Sequence, residues 1–413
     1  MDSTEQQLKS AKEASRQLRT ATTKQKNLFL QDLSVLLLKH IPDILAENKK
    51  DIESAGQLTD AMKKRLTLTE KSIESIALGV RSVAELSDPV GAIVKMWKQP
   101  NGMQVGRMRV PIGVIFFVFE SRPNVIIDAA ALAIKSGNAL IARGGKEARF
   151  SNNILQKYIS QALESAGLPA YCVQQLEDKS HEAIYQVVKQ KEFVDLVVAR
   201  GREQLIQAVK ENSFVPVIAH ERGLCHLYID ESANKDMAIK IAINAKTSNP
   251  AVCNTIETLL VNKNCVARIL PDLLTAMFEK GVEVRGCEVI CKIDKRCIPA
   301  TEEDWATEYL DLILSIKVVE NFEDALQHIE KYSSRLTDSI ITEDYTKARE
   351  FVDRVNSSTT LVNVSNRLTD GSEFGLGAEF GISTSAVHMR GPMGLEDLTV
   401  TKYVVLGDGQ IRE

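Results

Sequence analysis

VIFFVFESRPNVIIDAAALAIKSG (residues 114–137) sets the fold. Its first six residues are apolar without alternation, the pattern of a strand buried on both faces. VIIDAAALAIK then reads as a helix, and Gly137 suits the position just past a helix end. The rhythm continues with strand ALIA (139–142), turn RGGKEA (143–148), a helix to Gly167, and then YCVQQL, HEAIYQVVKQ, VDLVVA, REQLIQAVK and VPVIA. Strands alternating with helices predict a parallel sheet covered on both faces. A second series runs through HLYID (226–230), TLLV (258–261), LDLILSIKVV (310–319), SIIT (339–342) and TLVNV (360–364). Two doubly wound α/β domains are therefore expected, in keeping with a chain of 413 residues.

Three segments lie outside those series. Residues 5–54 read as two amphipathic helices packed on a larger body. Residues 90–111 hold Asn101-Gly102 between extended arms, a hairpin signal, and the apolar face flips at Gly106, which predicts a bulge there. LTVTKYVVLG (398–407) reads as one more strand. A hairpin and a tail strand are suited to pairing with another subunit, or else to covering the first domain.

Charge is nearly balanced, with 51 basic and 55 acidic residues, which argues against a nucleic-acid or membrane-surface protein. Seven scattered cysteines suggest reduced thiols. MDSTEQQLKSAKEASRQL lacks the apolar core of a signal peptide, and no apolar run approaches a membrane span, so a cytoplasmic location is expected. CEVICKIDKRC (287–297) matches no zinc spacing, and no metal is expected.

In doubly wound sheets, ligands bind at the carboxyl ends of the strands. Four loops there are chemically rich: FESRPN (119–124), RGGKEA (143–148), ARG (199–201) and AHERG (219–223). Arg143, Gly144, Gly145 and Lys146 combine positive charge, close backbone approach and a helix start, which suits a phosphate; solvated charges around a turn are the alternative. Asn124 either caps the helix that follows or presents an amide donor to a developing oxyanion. Cys253, in NPAVCN (249–254), is either a small packing residue or a nucleophile. FGLGAE (374–379) and RGPMGLE (390–396) read as turns or as the lining of a cleft.

Taken together, VPIGVIFFVFESRPN, AIKSGNALIARGGKEARFSN, NAKTSNPAVCNTIETLLV, LTDGSEFGLGAEFGIST and RGPMGLEDLT resemble the γ-glutamyl phosphate reductases of the aldehyde dehydrogenase superfamily, from about residue 8 to the end. The resemblance implies an aldehyde dehydrogenase-like fold. Its parts would be an NADPH-binding domain (1–88 and 111–220), a catalytic domain (221–385) and a β oligomerisation element (89–110 and 386–413). It implies NADPH-dependent reduction of L-glutamyl 5-phosphate to the 5-semialdehyde in proline biosynthesis, by a homo-oligomer. Cys253 falls on the nucleophile and Asn124 on the oxyanion donor. Arg143, Gly144, Gly145 and Lys146 fall on the adenosine-ribose and phosphate loop, Arg200-Gly201 on the pyrophosphate turn, and Glu308 on the nicotinamide-ribose ligand. Phe374-Gly375 would close over the substrate. Charge and placement add Arg122 and Arg390 as partners for the substrate's negative groups.

The chain departs from the family pattern in three places. His220-Glu221 stand where glycines are usual, and Leu336 stands where histidine is usual. Ser248-Asn249 replace glutamine and arginine, which removes a cation from the cysteine loop. An oxidising aldehyde dehydrogenase needs a glutamate base to hydrolyse its thioester; Glu221 is the sole carboxylate of VIAHERGLCH, and a reductase needs none. Two other readings stay open. One is a reductase of another acyl phosphate or thioester. The other is a catalytically weak paralogue serving as an assembly partner, for example of glutamate 5-kinase.

Overall fold

The computed structural model describes residues 3–56, 58, 60–120, 122–201, 203–219, 222–385 and 389–412. The chain divides into two compact units. Unit 1 comprises residues 1–219, 375–381 and 393–413; unit 2 comprises 220–374 and 382–392.

Unit 1 begins with helices Ser3–Leu18, Thr23–Lys39 and Ile41–Ser54. The stretch expected to hold two helices thus holds three. Periodicity runs on through residue 40, but Pro42 in the first turn of the third helix forces a fresh start there. Strands β1 (Ile93–Lys98) and β2 (Gln104–Pro111) form the hairpin, and the C-terminal strand Thr399–Leu406 pairs along the other side of β2. The expected bulge at Gly106 is absent. Gly106 pairs in register with Met96 on one side and Val404 on the other. The extra residue is Val94 on β1, where pairing jumps from Ile93↔Met108 to Lys95↔Arg107.

The main sheet of unit 1 contains β3 (Val114–Phe119), β4 (Ala139–Arg143), β5 (Val173–Gln175), β6 (Leu196–Arg200) and β7 (Val217–Ala219). Among the described residues these five strands are parallel, in the order β5-β4-β3-β6-β7. The chain therefore starts at the centre, winds one way through β4 and β5, then returns to wind the other way. The switch lies between β3 and β6, and loops leaving their carboxyl ends diverge there. All six residues of β3 are buried, as its unbroken apolar run requires. Phe117 packs its ring against Phe119 at 5.3 Å and Phe380 at 4.8 Å between centroids.

Unit 2 contains β8 (Cys225–Ile229), β9 (Ile256–Asn262), β10 (Glu283–Gly286), β11 (Ile298–Pro299), β12 (Ile313–Val319), β13 (Thr337–Ile341) and β14 (Thr359–Val362). They form one parallel sheet in the order β11-β10-β12-β9-β8-β13-β14 among the described residues. β10 and β11 carry too few apolar residues to stand out in the sequence. Leu336, at the entrance of β13, is fully buried. Among the described residues, no helix is long and apolar enough to cross a membrane.

Removing the central aromatic of unit 1 tests this core. Phe117→Ala is expected to cost about 3–5 kcal/mol, read as a lowered denaturation midpoint in urea.

Candidate active site

The site residues of unit 1 gather at the carboxyl edge of its sheet. Asn124 occupies the turn before helix Val125–Lys135, yet its side chain makes no capping bond. Its Nδ2 instead donates to Asp128 Oδ2 at 3.1 Å, one helical turn on. An amide nitrogen carries two N–H groups, so this bond fixes the side chain's rotation and leaves the second proton for a ligand. Asp128 is missing from the expected site residues, although the i, i+4 spacing was visible. Its environment is unusual: burial pushes the carboxyl up to about 6, against the hydrogen bond from Asn124 and the positive charge of Arg200. Arg122 is half-buried at the same turn.

Arg143 ends β4 and is buried. Its Nη2 donates to the Lys179 carbonyl at 2.7 Å and its Nη1 to the Gly144 carbonyl at 3.3 Å, while its Nε has no partner among the described residues. Burial lowers its pKa, as it lowers that of Lys179, to about 8, with the neighbouring Arg143 charge as the next cause. Glu147, Glu120 and Asp178 offset part of the cost at Arg143, and two desolvated cations with an unpaired buried donor still make a site that an anion would relieve. Gly144 lets the backbone pass close by: a Cβ there would lie 3.1 Å from the Phe119 ring. Lys146 is exposed on the one-turn helix Lys146–Ala148, and Arg200-Gly201 leave β6 with Arg200 half-buried.

The site residues of unit 2 lie at the opposite kind of edge. Cys253 precedes β9 and Gly223 precedes β8, both at strand amino ends. The two segments touch because Gly223 has no side chain; a Cβ on it would fall 2.5 Å from Cys253 Cα. The Gly223 N–H donates to Glu308 Oε1 at 2.8 Å, and Cys225 Sγ donates to the Cys253 carbonyl at 3.3 Å. Burial raises the Cys225 thiol far above its ordinary range, so it stays protonated and serves as a donor. Cys253 is half-buried, and all seven cysteines are thiols.

The cysteine loop is braced on both flanks. Lys246, on helix Lys235–Thr247 before the loop, bonds Glu257 on β9 after it at 2.6 Å, and both are buried. Burial pushes Glu257 up to about 7 and draws Lys246 down. Thr255 Oγ1 closes the loop on the Asn249 carbonyl at 2.7 Å. Asn254 Nδ2 donates to the Thr369 carbonyl at 2.8 Å, and Arg367 donates through Nη1 to Asn254 Oδ1 and through Nε to Ser248 Oγ at 3.2 Å.

The remaining expected residues are scattered. Phe374 is exposed, and the division between the units falls between it and Gly375. Arg390 commits its fork to Asn356, at 2.8 Å to the side chain and 2.7 Å to the carbonyl. His220 and Glu221 lie outside the described residues.

Residues 2–284 match the aldehyde dehydrogenase family. A γ-glutamyl phosphate reductase of Desulfatibacillum aliphaticivorans is 48% identical over 406 residues, covering 98% of this chain and 97% of that one. The crystal structure of γ-glutamyl phosphate reductase from Thermotoga maritima superposes with a TM-score of 0.97 at 40% identity, covering all of both chains. The chain belongs to the aldehyde dehydrogenase family and, within it, to the γ-glutamyl phosphate reductases. An acetylating aldehyde dehydrogenase of Geobacillus thermoglucosidasius shares the fold at 16% identity and a TM-score of 0.72. Membership implies a nicotinamide cofactor, and the cationic edge of unit 1 fits the phosphates of one: the unpaired Arg143 Nε and the depressed Lys179 both call for an anion.

Asp128 provides a test by pH. Its folded-state pKa is raised, so the carboxylate costs stability above about pH 6, a cost that fades as pH falls toward ~4. Asp128→Asn keeps an acceptor for Asn124 without that charge. The variant is expected to melt higher than wild type at pH 8, with the gap about halved at pH 5 and closed near pH ~4; an unchanged gap contradicts the assignment.

Proposed function

We propose that this chain reduces L-glutamyl 5-phosphate to L-glutamate 5-semialdehyde with release of phosphate, using NADPH, as a step in proline biosynthesis. The observation that carries this reading is the loop of Cys253. It is closed by its own hydrogen bonds, pinned by Glu257–Lys246 and Arg367, and packed on a bare glycine, which is far more support than a space-filling thiol requires.

In this reading the Cys253 thiolate attacks the acyl carbon and the bond to phosphate breaks, leaving a thioester. Phosphate departs readily, so the thiolate need not be strongly basic. NADPH, when bound, supplies the hydride that reduces the thioester. The resulting thiohemiacetal on Cys253 collapses to aldehyde, and the sulfur takes back the bonding pair. Asn124, its rotation set by Asp128, offers an N–H to the oxyanion formed at the acyl carbon. Arg143, Gly144, Gly145, Lys146, Arg200 and Gly201 hold the cofactor phosphates, with Lys179 added to the set. Glu308, already oriented by the Gly223 N–H, takes the ribose hydroxyls. Phe374 and Gly375 border the substrate, and Arg122 and Arg390 answer its charges, Arg390 after giving up part of its hold on Asn356. No step calls for the base that an oxidising relative uses.

We also propose that the chain forms a homo-oligomer through the sheet of β1, β2 and the C-terminal strand. That sheet leaves Tyr403 and Val405 exposed on one face and Ile93 and Leu406 on the other in a single chain, with Val94 exposed at the bulge, apolar surface of the kind that partners cover.

The reaction is assayed in reverse. NADP⁺ reduction in the presence of glutamate semialdehyde is expected to require inorganic phosphate and to vanish in Cys253→Ala; turnover without phosphate, or undiminished turnover in the variant, overturns the reading. Val405→Asp, at a position exposed in the single chain, is expected to lower the molar mass measured by light scattering, and an unchanged mass places the interface elsewhere.

A further inference from the structure

The helix Lys235–Thr247 runs into the cysteine loop with its carboxyl end, at Ser248. That end carries roughly half a negative charge, which opposes both a thiolate and an incoming phosphate. The one cation in the helix's last turn, Lys246, is buried and spent on Glu257. Asn249 supplies none. A loop that handles anions is thus placed where the backbone field repels them.

Arg367 corrects this field. It stands on the turn Asn366–Leu368, in the same unit but 113 residues beyond Asn254. The turn itself is anchored in the sheet. Buried Asn366 donates to the carbonyls of His226 and Thr337, each at 3.2 Å, and accepts from Ser339 Oγ at 2.6 Å. From this base the Arg367 guanidinium reaches both flanks of the loop, through Nε to Ser248 and through Nη1 to Asn254 beside the nucleophile. It is half-buried, and among the described residues no carboxylate pairs with it and its Nη2 makes no hydrogen bond. A planar fork held on one side with its other donors open is the geometry that captures a phosphate.

We infer that Arg367 forms the phosphate subsite of the Cys253 loop, binding the leaving phosphate of the acyl phosphate and, in reverse, inorganic phosphate. The inference rests on the proposed reductase reaction. It replaces the missing cation at position 249 by one delivered from a distant turn. Arg367 also braces the loop, so the test must separate the two roles.

Two measurements do so. In the reverse reaction, Arg367→Gln is expected to raise the KM for phosphate by roughly tenfold or more while the KM for NADP⁺ stays within about twofold. Independently of turnover, inorganic phosphate is expected to slow alkylation of Cys253 by iodoacetamide in wild type and not in Arg367→Gln, read from the mass of the Cys253 peptide. A merely structural brace would change alkylation with and without phosphate alike. If Arg367→Gln does not fold, Arg367→Lys decides: it keeps the charge but loses the fork, and its phosphate KM is expected to rise about threefold or more. A folded variant with unchanged phosphate KM and full phosphate protection overturns the inference. Wild-type protein that shows phosphate protection but no phosphate-dependent turnover overturns the reductase reading instead and leaves the subsite standing.

Discussion

The contact between the bare backbone of Gly223 and the backbone of Cys253 is the joint on which unit 2 turns. β8 and β9 are neighbours in the sheet, so their entrances must converge. A side chain on Gly223 would force them apart. With none, the strand entrance lies flat on the Cys253 loop, and the remaining bonds follow from that closeness. Glu308 reaches the Gly223 amide, and Cys225 reaches the Cys253 carbonyl. Lys246 and Glu257 lock the two flanks from beneath, an arrangement more valuable for geometry than for net stability, since both groups lose hydration to form it.

The two units use the same parallel architecture differently. Unit 1 follows the usual logic of a doubly wound sheet, with its polar loops at the carboxyl ends around the switch between β3 and β6. Unit 2 places Cys253 at the amino ends. The first arrangement points helix starts toward the ligand edge; the second points a helix end at it. On the proposed reading, this difference explains why the residues assigned to the cofactor phosphates in unit 1 are close in sequence to their strands, while unit 2 would borrow a guanidinium from a remote turn.

The order of strands and helices was legible because parallel strands buried on both faces write themselves as unbroken apolar runs, as VIFFVF does. The break at residue 40 is not written in the apolar period, which runs through it, but in Pro42, whose place suits the first turn of a new helix. The bulge fell on β1 although the apolar flip sits on β2, since register belongs to the pair of strands. Cys253 and Asn124 could be named from motifs. Asp128 could have been found from its i, i+4 spacing to Asn124, a local signal. Gly223 and Arg367 could not, since each acquires its role only when the sheet brings together residues far apart in the chain.

The burial of Arg143 and Lys179 has a further outcome. Cations stripped of water in the folded state, and hydrated in the unfolded one, are a tax on folding that a bound anion eases. Folding and ligand binding then share one free-energy balance. The steadiness of this chain would track the supply of its own coenzyme, with the ligand-free protein the first to open when that supply runs low.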